Sequence, residues 1–406
     1  MDNEFFNDQE LLKTYYKSHY PYDVVYKMLM ADGNPSSNRD IAIFIPFMSS
    51  SKCIRPIYID SIDTFKKTIF KFEALPYRID IGASYDRPIA KSPHSSTQPL
   101  RTPEFSFREF IIDIDIDDYD IVRTCCKGKT ICRKCWVLMK ICAKILVKLL
   151  TEHLGLTEVF IVYSGNRGLH FWVFDRTAGQ MDNALRAAVT TYISLVPKIE
   201  TNAFIPKLLW NDVYEIAIQD FEEIVKHQDI FNSESLLNQL NGILAKQSAN
   251  FDLKAMVSQL QTKYKLSQKY DESINVNLML WNDIFKSMPK NFVQLVVIYC
   301  TYPRLDVNVS KDSKHLLKLP FSVHPTSKKL SVPIDIRSID SFDPSTCISL
   351  QELSTNIETF EREIQQYVER AKTSLFSASK NNLVAQHNAS LSCLSQDPYL
   401  NGFDSG

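Results

Sequence analysis

The sequence is poor in glycine, with 10 in 406 residues, which argues against collagen-like and other glycine-rich architectures. No run approaches the roughly 18 apolar residues that a membrane-spanning helix needs, so we expect no membrane span. The N-terminal segment is acidic and lacks a basic start followed by an apolar core, so we expect no signal peptide. Neither charge sign dominates, because 46 Lys and Arg stand against 47 Asp and Glu. Any contact with a polyanion therefore has to be local.

The residues that are present favour a folded protein. Apolar residues make up 45% and aromatic residues 11%, enough for a full hydrophobic core, which excludes wholesale disorder. At roughly 100–200 residues per domain, the length indicates two or three domains or one elaborated domain. The 9 cysteines are odd in number and 4 of them lie between positions 125 and 135. This pattern favours a metal site in a reducing intracellular compartment over a disulfide framework.

The hydrophobic pattern predicts an α/β protein. Short strand-like runs (IAIFIPF, CIRPIYI, EVFIVYSG, LHFWVFD, FVQLVVIYC and LSVPIDI) alternate with amphipathic helical stretches. Residues 91–104 are polar and rich in proline, which predicts a loop. Residues 205–290 are helical throughout and carry no chemical motif, which predicts a helical insertion. Residues 373–406 are rich in serine and predict a flexible tail.

The run Ile112-Asp113-Ile114-Asp115-Ile116-Asp117 has strict alternation, which is typical of a strand. Its isoleucines would face a core while Asp113 and Asp115 project together, about 6.6 Å apart at their α-carbons. Two like charges at this spacing are unfavourable unless they are exposed, protonated or bridged by a cation. A carboxylate pair on a stiff strand suits a hard cation such as Mg²⁺. Alone, however, the pattern also fits an exposed strand with a solvated acidic face.

The cluster Cys125-Cys126 and Cys132-Arg133-Lys134-Cys135 predicts a structural zinc site, because four thiolates complete a tetrahedron around Zn²⁺. The adjacent pair can ligate together only if the loop folds back on itself. Free thiols in a loop are the alternative.

Two further segments carry phosphate-binding side-chain types. The predicted hairpin Tyr163–His170 contains a hydroxyl, a guanidinium and an imidazole beside glycines. The stretch Arg304–Leu330 holds six Lys and Arg against two Asp and suits a triphosphate or a nucleic-acid backbone. Each segment alone also fits an ordinary surface hairpin or loop. Together, carboxylates for metals, donors for phosphates and a zinc-bound loop favour nucleotidyl transfer.

The segments EFIIDIDIDDYD, CC…CRKCW, VYSGNRGLHFWVFD and YPRLDVNVSKDSKHLLKLPFSVHPTSKKLSVPID resemble the catalytic small subunits of eukaryotic DNA primases, and PYRIDIGA matches a further block. The resemblance spans roughly residues 10–345. It implies the archaeo-eukaryotic primase fold, with mixed sheets flanked by helices. The expected catalytic domain comprises residues 1–204 and 291–372, with a zinc-binding element at about 121–136. Residues 205–290 would be the helical insertion subdomain.

The resemblance also assigns residues to roles. Asp113, Asp115 and Asp306 match the catalytic carboxylates that hold two Mg²⁺ or Mn²⁺ ions, and the zinc ligands match Cys125, Cys126, Cys132 and Cys135. The nucleotide-binding positions match Arg55, Asp80, Ser164, Arg167, His170, Lys318 and His324.

The activity implied is synthesis of short RNA primers on a single-stranded DNA template from ribonucleoside triphosphates. Expected partners are the primase large subunit and the DNA polymerase alpha complex, in the nucleus, with no membrane association. One position departs from the family pattern, because Asn166 stands where a second arginine is common. The sequence leaves open whether a neighbouring lysine compensates for that missing charge or whether incoming nucleotides bind more weakly. The alternative functions are a non-catalytic zinc-containing assembly subunit and a metal-dependent nuclease or phosphodiesterase.

Overall fold

The computed structural model describes residues 2–30, 33–47, 50–89, 102–248, 251–268 and 275–394. The strands are β1 (Arg39–Phe47), β2 (Ser50–Ile54), β3 (Arg78–Tyr85), β4 (Phe105–Phe107), β5 (Phe110–Asp115), β6 (Val159–Tyr163), β7 (Gly168–Val173), β8 (Leu317–Lys318) and β9 (Val332–Ile334). The helices are α1 (Asp2–Thr14), α2 (Tyr22–Leu29), α3 (Ile62–Ile69), α4 (Arg133–Lys148), α5 (Arg176–Gly179), α6 (Asn183–Tyr192), α7 (Val196–Thr201), α8 (Lys207–His227), α9 (Glu234–Ala245), α10 (Leu253–Gln268), α11 (Val276–Ser287), α12 (Lys290–Thr301), α13 (Val307–Lys311), α14 (Glu352–Thr355) and α15 (Ile357–Leu394).

Two antiparallel sheets carry the fold. The first has the order β2-β1-β3-β4, with β8 also paired to β3, and the second has the order β5-β7-β6-β9. In β5 the side chains alternate as a half-buried strand requires: Ile112 and Ile114 are fully buried, whereas Asp113 and Asp115 are partly exposed. The mixed α/β class predicted from the hydrophobic pattern is confirmed.

The two sheets meet near the start of β7. Lys318 lies in β8, where it pairs with Asp80 of the first sheet, and its ammonium donates a hydrogen bond to the backbone oxygen of Ser164. Ser164 belongs to the tight turn between β6 and β7 of the second sheet. Residues from both sheets therefore lie together around the β6–β7 turn. The hairpin predicted from the sequence is present.

Helix α4 packs between the second sheet and another helix, and this packing explains why it is apolar on more than one face. It packs against β7 and also against α8. Trp136, Met139 and Leu146 are among its buried side chains. On the side of α4 that faces α8, Lys144 forms an ion pair with Asp220 of α8 at 2.9 Å.

Helices α8 to α11 make up most of the described part of the segment 205–290, which agrees with its predicted helical character, and short non-helical connections join them. Because α8 packs against α4 and α12, these helices contact the rest of the protein closely. The boundaries of a separate subdomain stay a prediction.

The strand predicted for FVQLVVIYC is wrong, because these residues form most of α12. Pro289 precedes the helix, and nine of its residues are buried, from Phe292 to Thr301. An apolar run that is buried on all sides has no periodicity that separates a strand from a helix. The strand predicted for CIRPIYI is also too long, because β2 ends at Ile54, two residues before Pro56, which has no N–H to donate to a ladder.

Two predicted irregular segments are only partly described. Most of the predicted loop 91–104 lies outside the described residues, which resume at 102. In the predicted tail, helix α15 continues to Leu394, and residues 395–406 lie outside the described ranges. Within the described part of the chain, no helix combines the length and the apolar character needed to cross a membrane.

Candidate active site

Five aspartates line one pocket of about 500 Å³, and three of them are the predicted carboxylates. Asp113 and Asp115 reach it from β5. The third carboxylate is Asp306, which precedes the short helix α13. The backbone N–H of Asp306 donates to the backbone oxygen of Asp113 at 3.0 Å, and this contact joins the segment before α13 to β5. Residues almost 200 positions apart in the sequence are thereby brought to one wall of the pocket.

The electrostatics of Asp113 are dominated by its burial and by its acidic neighbours, although Arg167 and Arg304 also line the pocket. Burial, followed by the nearby charges of Asp115 and Asp306, raises the pKa of Asp113 to about 7. Its Oδ1 is buried and accepts no hydrogen bond from the described residues. A buried, unpartnered carboxylate oxygen beside two further carboxylates is the donor set that a hard divalent cation prefers. The residues present therefore fit Mg²⁺ or Mn²⁺.

Arg167 brings positive charge to this acidic pocket. Its Nη2 donates to Asp115 Oδ2 at 2.8 Å, and its Nε lies 3.0 Å from Asp117 Oδ1 in an ion pair that is not aligned as a hydrogen bond. Asp117 and Asp118 line the same pocket, although sequence reasoning gave neither a role. The sequence feature that could have indicated them is the length of the acidic run, which continues past Asp113 and Asp115.

The turn between β6 and β7 depends on two glycines. Gly165 has a φ of +82°, and a Cβ there would lie 2.9 Å from the backbone oxygen of Lys329. A Cβ on Gly168 would lie 2.4 Å from Ile114 O and 2.5 Å from Asp115 Oδ1. The Ser164 hydroxyl accepts the N–H of Gly168 at 3.0 Å and closes the turn. Ser164 is thus placed beside the pocket, and its predicted contact with phosphate stays a prediction.

His170 stands opposite Asp113 in the β5–β7 pairing, and its Nε2 lies 3.6 Å from Asp113 Oδ1. Burial, together with the charges of Lys318 and Arg78, holds the pKa of His170 well below its usual range. The imidazole is therefore uncharged near neutral pH. Burial likewise lowers the pKa of Lys318 to about 8.

His324 lies among cations. Burial, followed by Lys318, Arg167, Arg78 and Lys129, lowers the pKa of His324 to about 3. These four side chains are all positive, and such surroundings favour an anion.

Asp80 and Arg55 lie on the first sheet and do not line the carboxylate pocket. Asp80 is buried and accepts a hydrogen bond from Arg78 Nε at 2.6 Å. Arg55 pairs with the buried Asp40, with 3.0 Å between Nε and Oδ1. Asp80 adjoins Lys318 in the β3–β8 pairing, so it borders the cationic region.

The four predicted zinc ligands are brought together. The sulfurs of Cys125, Cys126, Cys132 and Cys135 all lie within 4.8 Å of one another, so the loop does fold back and both adjacent cysteines reach the cluster. Sulfurs around a tetrahedral zinc ion stand about 3.8 Å apart, and the separation of Cys132 Sγ from Cys135 Sγ is 3.9 Å. Burial alone would raise the pKa of Cys132, but hydrogen bonds from its neighbours lower it to about 7. The cluster fits Zn²⁺.

Gln228, at the end of α8, holds this loop and was missed by sequence reasoning, because nothing marks it in the sequence. Its amide oxygen accepts the N–H groups of Thr124 and Cys125, at 2.8 and 3.2 Å. Its amide nitrogen donates to Cys125 Sγ at 3.3 Å and to Lys134 O at 3.1 Å. A fully buried side chain with four such contacts orients the thiolates from outside the ligand set.

Comparison with known proteins supports the same interpretation of the site. Residues 112–336 match the family model described as DNA primase small subunit, a span that includes the three carboxylates and all four cysteines. The DNA primase small subunit of Saccharomyces cerevisiae is 30% identical, with 86% of this chain and 85% of that protein covered. The corresponding protein of Drosophila melanogaster is 29% identical, with coverages of 89% and 84%.

A solved structure, the polymerase domain of ligase D from Mycobacterium tuberculosis in complex with DNA, covers 87% of this chain and 92% of that chain. The identity is 11% and the TM-score is 0.34, so this likeness carries no argument.

Proposed function

This chain belongs to the DNA primase small subunit family, and from that premise we propose that it is the catalytic subunit that synthesises short RNA primers on single-stranded DNA. The observation that carries the proposal is the pocket in which Asp113, Asp115 and Asp306 converge beside Arg167. A polymerase needs carboxylates for cations and adjacent positive charge for a triphosphate, and this pocket offers both.

Asp113, Asp115 and Asp306 would hold two Mg²⁺ or Mn²⁺ ions. Such ions lower the pKa of an attacking 3′-hydroxyl and stabilise the charge on a departing pyrophosphate. Arg167, which donates to Asp115 in the structure, would donate to a phosphate oxygen of the bound nucleotide. It would keep its ion pair with Asp117 and so remain oriented.

The cationic region beside the pocket would bind the triphosphate. Lys318 lies at the junction of the two sheets and can neutralise a phosphate charge there. His170 and His324 are uncharged near neutral pH, so each can donate a hydrogen bond to phosphate without repelling the neighbouring cations. Asp80, held by Arg78, would fix the first sheet beside the nucleotide.

The four cysteines would hold one structural zinc ion, because a complete thiolate set leaves no position for a substrate. The archaeo-eukaryotic primase fold with residues 205–290 as an insertion subdomain is part of the same proposal. So are the nuclear location and assembly with a primase large subunit and the DNA polymerase alpha complex.

The test is incorporation of labelled ribonucleotides on a polypyrimidine single-stranded template with Mg²⁺ or Mn²⁺. Wild type should produce short RNA, and Asp113→Ala should not. The exposed Glu222→Gln is the matched control, since it removes a carboxylate charge far along α8 and should leave synthesis unchanged. Absence of product from wild type, even with the large subunit added, would favour a non-catalytic assembly role, whereas degradation of the template would indicate a nuclease.

A further inference from the structure

The connector between α12 and α13, residues 302–306, carries Asp306 to the carboxylate pocket without regular secondary structure of its own. Backbone groups of such a segment need partners in neighbouring elements, and Pro303 within it has no N–H to donate. The N–H of Asp306 donates to the backbone oxygen of Asp113 in β5 at 3.0 Å. Two further backbone groups of the connector bind one side chain, that of Tyr119.

Tyr119 ends the short helical turn Ile116–Tyr119, which follows β5, and it is fully buried. Its hydroxyl donates to the backbone oxygen of Tyr302 at 2.9 Å and accepts the N–H of Arg304 at 3.0 Å. A hydroxyl has one donor and two acceptor positions, so both contacts can be made at once. One side chain thereby holds the connector up to two residues before Asp306.

The aromatic ring of Tyr119 contacts the same connector. The guanidinium of Arg304 lies against two rings, with its Cζ 5.6 Å from the ring centroid of Tyr119 and 5.3 Å from that of Tyr299. Its Nη2 donates to the backbone oxygen of Tyr299 at 3.3 Å. Arg304 and Asp306 both line the carboxylate pocket. Both parts of the Tyr119 side chain therefore support one wall of this pocket.

The carboxylate of Asp306 is fixed relative to its own backbone. Its Oδ1 accepts the N–H of Asn308 at 3.0 Å, so Asp306 caps α13. A displacement of the connector would consequently move the carboxylate with it. Mg²⁺ demands oxygen ligands at about 2.1 Å in a nearly ideal octahedron, so even a small displacement of one ligand weakens its binding.

We propose that Tyr119 is a positioning residue for the divalent-cation site, because its hydroxyl fixes the connector that places Asp306 beside Asp113 and Asp115. The inference rests on the proposed function, since it assumes that these carboxylates hold cations. The acidic segment would then act twice. Strand β5 supplies two of the carboxylates, and the turn after it holds the chain that supplies the third.

The test is the Mn²⁺ affinity of the zinc-loaded protein, measured by electron paramagnetic resonance without nucleotide or DNA. Tyr119→Phe keeps the ring and should weaken Mn²⁺ binding by about tenfold, the lower end of the effect of losing a residue that supports a metal ligand. Tyr302→Phe is the matched control, because it removes another fully buried hydroxyl, which donates to Ile193 O at 2.6 Å. Both variants should lose thermal stability, but Tyr302→Phe should keep the wild-type Mn²⁺ affinity.

A second comparison shows whether Tyr119 acts through Asp306. Asp306→Asn should weaken Mn²⁺ binding more than Tyr119→Phe does, and combining the two substitutions should cause no further loss. Additive losses would overturn the proposal. Equal Mn²⁺ affinities of the two phenylalanine variants would overturn it as well.

Primer synthesis gives an independent readout. Tyr119→Phe should raise the Mn²⁺ concentration for half-maximal rate by the same factor, whereas the rate at saturating Mn²⁺ should change little. A wild type that binds Mn²⁺ but makes no primer would remove the proposed function and leave the role of Tyr119 standing. A wild type that binds no Mn²⁺ at these carboxylates would overturn that role.

Discussion

Asp113 and His170 face each other across the antiparallel β5–β7 pair, with 3.6 Å between Asp113 Oδ1 and His170 Nε2. The pKa of the carboxyl is raised to about 7 and that of the imidazole is held well below its usual range, in both cases chiefly by burial. Neither group neutralises the other near neutral pH. Ionisation of Asp113 is therefore unfavourable in this site, and a bound divalent cation would stabilise the ionised carboxylate.

This arrangement predicts a pH-dependent stability difference between wild type and Asp113→Asn without added divalent cations. The pKa of this carboxyl is about 7 in the folded protein and 3.8 ordinarily. Between about pH 4 and 7 the folded state therefore binds more protons than the unfolded state, and rising pH destabilises the wild type. The asparagine side chain of the Asp113→Asn variant does not titrate in this range. The difference in unfolding free energy should grow in favour of Asp113→Asn by up to about 1.4 kcal/mol per pH unit.

Thermal unfolding of both proteins from pH 5 to pH 8 checks this expectation. The comparison cancels the contributions of His170 and His324, which both proteins share. Adding Mg²⁺ should stabilise the wild type more than Asp113→Asn, because the cation replaces the proton on the carboxylate. A difference in melting temperature that does not change with pH would show that Asp113 is already ionised in the folded protein.

The second prediction concerns the thiolate cluster. Cys132→Ser removes the sulfur that lies 3.5 Å from Cys125 Sγ and 3.9 Å from Cys135 Sγ, so bound zinc should fall from one per chain toward zero and the melting temperature should drop. Metal analysis of the purified protein measures this. Cys53→Ser is the control, because Cys53 is exposed and outside the cluster. Unchanged zinc in Cys132→Ser would remove the ligand assignment.

Gln228→Leu keeps all four thiolates and tests the residue that orients them. The leucine is similar in size but leaves the N–H groups of Thr124 and Cys125 without their acceptor and Cys125 Sγ without its donor. Loss of such a supporting contact typically weakens metal binding by about 10–100-fold. Competition with a chromogenic chelator should show this weakening. Zinc affinity equal to that of wild type would limit Gln228 to packing.

How far sequence could predict this site depends on how local each signal is. Asp113 and Asp115 follow from a period of two within six residues, and the cysteine cluster follows from its spacing. Gln228 reaches Cys125 across 103 positions, and no local pattern encodes such a contact. The helix α12 was mistaken for a strand for a related reason, since its burial on every side comes from tertiary packing. Asp117 was overlooked because a turn, rather than the strand, directs it toward Arg167.

Asn166 provides the fourth prediction, because it departs from the arginine expected at this position. Its backbone oxygen accepts the Tyr163 hydroxyl at 2.7 Å, so a new side chain there would not break the turn. Asn166→Arg adds a positive charge next to Arg167, and a partly exposed charge contact contributes about 1 kcal/mol. The KM for ribonucleotides should fall by about threefold to tenfold in a primer-synthesis assay. An unchanged KM would mean that the existing cations already saturate the phosphate contacts.

Gly168 gives the last prediction, because the start of β7 lies too close to β5 for any side chain. A Cβ at this position would lie 2.4 Å from the backbone oxygen of Ile114 and 2.5 Å from Asp115 Oδ1. Neither atom can move easily, because β5 is paired with β7 along its whole length and Arg167 holds the Asp115 carboxylate. Gly168→Ala should therefore lower the melting temperature and displace Asp115, so that primer synthesis falls by more than the loss of stability explains. Gly242→Ala is the matched control, since a Cβ there meets nothing within 4 Å and the residue lies inside α9. That alanine should stabilise the protein by up to about 1 kcal/mol. Full activity of folded Gly168→Ala at low temperature would show that the position of Asp115 tolerates a shift of β7.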